Sequence, residues 1–152
     1  MNSESSSGKT SRQRLLSLLS KSNGESVKQA WESLGVVPEY SFLKRPEVGM
    51  VMVKAQAGGN GTNFNMGEMT VTRTVLQLSG NQVGYGYIAG RDKDKSLTVA
   101  LIDALYQLCE WQDVIEEKIM KPLERALQSA QTKHKQRVDR TKVNFFTMVR
   151  GE

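Results

Sequence analysis

Residues 55–73, Ala55-Gln-Ala-Gly-Gly-Asn-Gly-Thr-Asn-Phe-Asn-Met-Gly-Glu-Met-Thr-Val-Thr-Arg73, constrain the fold more than any other stretch. Gly58, Gly59, Gly61 and Gly67 interrupt two apolar runs, Met50-Val-Met-Val53 and Val71-Thr-Arg-Thr-Val-Leu-Gln-Leu78. Glycine admits positive φ and leaves amide N–H groups uncovered, so such a loop either cradles an anion or lets another backbone lie close. The flanks read as strands. A connection this short cannot join parallel strands, so the sheet is expected to be antiparallel.

Further strands follow from the same logic. Residues 40–44 and 48–57 form an expected pair around Arg45-Pro46-Glu47, and 70–78 pairs with 82–88 across the turn Ser79-Gly-Asn81. About four antiparallel strands result. Helical periodicity brackets them. Residues 12–19 carry Leu15, Leu16, Leu18 and Leu19, and residues 26–34 place Val27, Ala30, Trp31 and Leu34 on one side. Gly35 and Pro38 end that second helix. A helix is expected over 94–110 and another from Gln112 towards Asp139, kinked or restarted at Pro122. The expected class is α+β, with short N-terminal and long C-terminal helices on an antiparallel sheet. Residues 1–11 read as a serine-rich, loosely attached arm, and 12–152 as one domain.

Several signals are bounded by what they lack. Ser7-Gly-Lys-Thr10 resembles the end of a phosphate-binding loop, but Ser3 stands where its first glycine belongs and no strand precedes it. Gly84-Tyr-Gly-Tyr-Ile-Ala89 fits a loose dinucleotide pattern, yet it lies in a hairpin strand, where it reads as sheet packing. Arg91 and Lys93 flank a strand-to-helix turn that could face a phosphate, although solvated turn charges explain them as well. His134 is the single histidine and sits in a basic polar run, so neither a zinc site nor histidine-assisted nucleophilic catalysis is readable. Glu68 is an acid without a paired group. Cys109, the single cysteine, is expected to be a buried thiol. It also permits no disulfide within the chain, which fits a reducing, cytoplasmic compartment. No apolar run approaches the roughly 18 residues of a membrane span, and the first residues lack the apolar core of a signal peptide.

The net charge of +5 points to anionic partners without saying which kind. The basic run over residues 133–142 contains Asp139 and no interleaved aromatics, so it reads as a solvated helix face rather than a nucleic-acid site. The last apolar block, Val143-Asn-Phe-Phe-Thr-Met-Val149, must be buried on the domain's own sheet or on another chain. Phe145, Phe146, Met148 and Val149 are the candidate interface. Gly58, Gly59, Gly61, Thr62, Asn65 and Gly67 form the candidate ligand or partner loop, with Arg73 and Arg91 as its candidate charge partners. Residues 58–67 look too long for a bare hairpin turn, so a partner chain or, less favoured, a bound phosphate-bearing ligand is expected to order them.

Taken in order, these pieces resemble the G-subunit family of the bacterial carbon–phosphorus lyase core complex. The similar blocks are Gly58-Gly-Asn-Gly61 with Phe64, Gly67, Thr70 and Thr72-Arg73, then Leu78, Gly84-Tyr85, Gly90-Arg-Asp-Lys93, Ala100-Leu-Ile-Asp-Ala-Leu105 and the terminal Val143-Asn-Phe-Phe-Thr-Met-Val-Arg-Gly151. The resemblance implies partnership with the H, I and J subunits and an ATP-binding-cassette-like L protein. It implies participation in the alpha-D-ribose 1-methylphosphonate 5-triphosphate synthase step, a transferase reaction that couples alkylphosphonate to the ribose of MgATP and releases adenine. On this view the complex uses MgATP; the residues of this chain offer no nucleophile, metal constellation or acid–base pair, so it is expected to bind no cofactor or metal and not to be catalytic alone. A stand-alone phosphate- or nucleotide-binding module is the competing reading.

Overall fold

The computed structural model describes residues 10–143. Two helices come first, α1 (Ser11–Lys21) and α2 (Gly24–Glu32), followed by strands β1 (Tyr40–Gln56), β2 (Asn63–Leu78) and β3 (Val83–Ala89). Then come α3 (Lys93–Tyr106), α4 (Cys109–Ile115), a π-helical turn (Glu116–Met120) and α5 (Lys121–Asp139). The α+β class and the antiparallel sheet agree with the sequence reading. Met1 to Lys9 of the expected N-terminal arm lie outside the described residues, whereas Ser11 already opens α1. Thr10 caps that helix reciprocally with Gln13: its side chain accepts from Gln13 N at 3.3 Å and its own N–H donates to the Gln13 amide oxygen at 3.0 Å.

Three strands stand where about four were expected, in the order β1-β2-β3. Residues 40–44 and 48–56 are one continuous strand, not a pair. The chain passes Arg45-Pro46 by register shifts between Phe42 and Lys44 and between Lys44 and Glu47. β1 is an edge strand, where proline's missing N–H costs no ladder bond, so Pro46 bulges the strand instead of ending it. The β2–β3 hairpin turns at residues 79–82 as expected, with Asn81 at φ +68°.

The helices cover one face of the sheet. Leu76, Leu78 and Ile88 meet Leu15 and Leu19 of α1, Val27 of α2, Val99 and Ile102 of α3, and Ile115, Ile119 and Leu123 beyond, all in one buried cluster. Gly84 and Gly86 let α3 lie directly on β3. A Cβ at Gly84 would stand 2.0 Å from the Ala100 carbonyl oxygen, and one at Gly86 would stand 1.9 Å from that of Ser96. The glycine-x-glycine pattern, expected to serve packing within the sheet, is a helix–strand contact. Polar groups at this contact are satisfied: Thr74 and Ser96 share a hydroxyl hydrogen bond at 2.8 Å, and Thr72 donates to the Gly90 carbonyl at 2.7 Å.

Asp103 is fully buried in α3, and its carboxylate ties three elements together. It accepts Arg12 Nε at 2.7 Å, Arg12 Nη2 at 2.8 Å and the Tyr85 amide at 2.9 Å. The hydrogen bond to Asp103 raises the Arg12 pKa above its ordinary value. α3 ends at Tyr106, shorter than expected, and α4 restarts at Cys109. Before Pro122 the Lys121 amide bonds to the Glu116 carbonyl, five residues back. That wider turn carries the chain into a helix whose second residue cannot donate.

Candidate functional site

β3 pairs with only part of β2. The last rung joins Val71 to Ala89, while β1 and β2 continue together to the Gln56–Asn63 rung. Beyond Thr70 the sheet becomes a two-stranded arm. Seven β1 residues, 50–56, project about 20 Å at ~3.3 Å each. The arm exposes Met50, Met52, Phe64, Met66 and Met69, of which Met66 is 71% accessible. Alternation sends Met50 and Met52 to one side and Val51 and Val53 to the other, so both faces are apolar. Tyr85 and Tyr87 continue the apolar surface on the face of the sheet opposite α3, each about half exposed.

The sequence signal for this arm is Met50-Val-Met-Val53, a strand run with no polar position. Alternation with polar residues marks a strand with one wet face; its absence marks a strand covered on both sides. Here nothing in the described chain covers the second side, and the exposed methionines are the residues the sequence reading did not single out.

The glycine-rich turn crowns the arm. It is shorter than expected: residues 57–62 form the turn, and Asn63 to Gly67 already belong to β2, with Asn65 opposite Lys54 and Gly67 opposite Val53. Gly58 and Gly59 hold φ of +55° and +75°, and the Gly61 amide donates to the Ala57 carbonyl at 2.7 Å. A Cβ at Gly61 would stand 2.1 Å from that carbonyl oxygen. The turn thus closes on its own backbone and on the ladder below it. Gly58, Gly59, Gly61 and Thr62 are all exposed at the tip.

The two arginines sit elsewhere. Arg73 is ten residues down β2 from Asn63, about 33 Å by strand rise. There its Nε donates to Glu47 Oε1 at 2.6 Å, and Lys44 Nζ reaches the same carboxylate oxygen at 2.8 Å. Hydrogen bonds from Lys44 and then Arg73 hold the Glu47 carboxyl below its usual range. Arg91 is exposed in the turn before α3, next to Asp92, whose side chain caps that helix through Lys95 N at 2.9 Å. The fold therefore gathers Arg73 at the base of the arm and does not bring it or Arg91 to the glycine turn.

The other candidates are scattered. Glu68 is exposed on the arm opposite Met52. His134 is exposed on α5, as expected. Cys109 is exposed at the start of α4, not buried, because the helix breaks just before it and turns that position outward. Among the described residues no group of histidine, cysteine and acidic side chains is arranged to hold a metal, and no helix is long and apolar enough to cross a membrane. Phe145, Phe146, Met148 and Val149 lie outside the described residues.

Residues 10–151 match the family of phosphonate metabolism proteins PhnG. The chain belongs to the PhnG family. A relative from Rhizobium meliloti (strain 1021), the alpha-D-ribose 1-methylphosphonate 5-triphosphate synthase subunit PhnG, is 34% identical over 145 residues, which cover 95% of this chain and 92% of the relative. The PhnG match embraces the arm, the glycine turn, the Asp103 clamp and the whole of α5.

Proposed function

We propose that this chain is an accessory subunit of a cytoplasmic carbon–phosphorus lyase core complex. In this role it supports the coupling of alkylphosphonate to the ribose of MgATP with release of adenine, and it does not carry the reacting groups itself. Its partners are the H, I and J subunits and the ATP-binding-cassette-like L protein. One observation carries the reading: a small domain with a complete core of its own extends an apolar, two-faced arm into solvent. Contiguous exposed apolar surface of this kind marks an interaction site, and the relative's name places that protein among the subunits of a synthase. The exposed glycine turn at the arm's tip and the block Phe145, Phe146, Met148 and Val149 are assigned to the same contacts.

Purified chain incubated with MgATP and methylphosphonate is expected to release no adenine, and release is expected once H, I and L subunits are added. Adenine release by the chain alone would overturn the accessory role. Full activity of the other subunits without this chain would overturn its requirement.

A further inference from the structure

Among the described residues, the last helix offers a second unpartnered surface. α5 packs through Leu123, which is buried, and Leu127, which is half-buried. From Gln128 onward every described residue is exposed. Twelve helical residues, 128–139, thus stand clear of the domain over about 18 Å at ~1.5 Å each. Residues 128–143 carry Lys133, Lys135, Arg137, Arg140 and Lys142 against Asp139, five charges against one, so they hold four of the chain's five net positive charges. The ion pairs of the described residues lie elsewhere in the fold. A narrow stripe runs through the charge: Leu127, Ala130, His134 and Val138 recur at spacings of three or four and so share one face of the helix.

We infer that the projecting half of α5 is a docking helix for a protein surface in which acidic side chains rim a shallow apolar groove. The charge selects the occupant. A second copy of this helix would set five cations against five, so self-pairing is opposed. Nucleic acid would answer the lysines and arginines but offers no apolar groove for Ala130 and Val138. A bilayer requires a broader apolar face with large side chains than this stripe provides. This inference rests on the accessory-subunit reading and names a contact within it, separate from the arm.

The test is co-expression of the full chain with the H, I and J subunits, followed by recovery of the assembly. Lys133→Glu with Lys135→Glu and Arg137→Glu should lower recovery about tenfold or more at ~0.1 M salt, since reversed charges meet an acidic rim. Ala130→Lys, which disturbs the stripe and adds positive charge, should lower it too. Wild-type recovery should fall as salt rises towards ~0.5 M. Unchanged recovery of both variants overturns the docking face while leaving the accessory role standing. Failure of wild-type chain to co-purify overturns both. A large drop in the isolated variant's melting temperature would show that residues of the same chain cover the helix. Loss of a wild-type dimer, or loss of binding to a DNA duplex or anionic vesicles with assembly intact, would assign the helix to those occupants instead.

Discussion

Gly86 shows how one residue fixes a layer. Its missing side chain lets the Ser96 carbonyl approach, so Gly86→Ala must push α3 off β3 or bend the strand. Overpacking of this kind costs about 1–3 kcal/mol, more where backbone is the obstacle, and denaturant unfolding should register it. Asp103 anchors a different link. Asp103→Ala strips a buried carboxylate from Arg12 and from the Tyr85 amide; because Arg12 is 39% exposed and can regain water, loss of about 1–3 kcal/mol is expected, and Arg12→Met should rescue part of it in the double variant. An additive double variant would show that the clamp is not a coupled unit. The two residues were unequally legible. The spacing of Gly84 and Gly86 within a strand already argued for close packing. Asp103 reads only as a polar interruption of an apolar helix, because its partner lies 91 residues away. Gly61 carries a practical consequence. Gly61→Ala would break the turn itself, so Asn60 and Thr62 are the tip positions at which contact can be probed without altering backbone.

At the scale of elements, the arm is the part whose sequence was read correctly as strand and wrongly as loop. The ladder from Asn63 to Gly67 pairs glycine and asparagine with Val53 and Lys54, residues whose poor strand preference is overridden by the register that the turn imposes. The merging of two expected strands into β1 has a similar cause: Pro46 ends a central strand but only bulges an edge. That same bulge, with the irregularity between Val53 and Lys54, leaves Glu47 to Val53 as the regular stretch of the free edge. Met52→Lys with Phe64→Lys should therefore leave the isolated domain's stability within about 0.5 kcal/mol, as expected of exposed positions. The same pair should reduce recovery of the co-expressed assembly. A variant that assembles like wild type would remove the arm from the interface. Charge at the arm's base acts separately. Lys44 and Arg73 keep Glu47 ionised, so their contribution is present above the ordinary carboxylate range and is lost as pH falls through the lowered value. Wild type and Glu47→Gln are expected to converge in melting temperature only once pH has fallen below the lowered Glu47 value.

Across the described residues, the division is between a packed core and two projections that extend beyond it. Helices α1 to α4 and the first turns of α5 bury the inner face of a three-stranded sheet. The β1–β2 arm and the second half of α5 leave that body, one apolar and one basic. Hydrogen exchange of the chain, free and within the co-purified assembly, tests this most directly. Arm amides over residues 49–70 should exchange at least about tenfold more slowly in the assembly, while amides of α3 and β3, already protected by the core, should change little. Equal exchange across the arm in both states, with protection gained only in the core, would contradict the account.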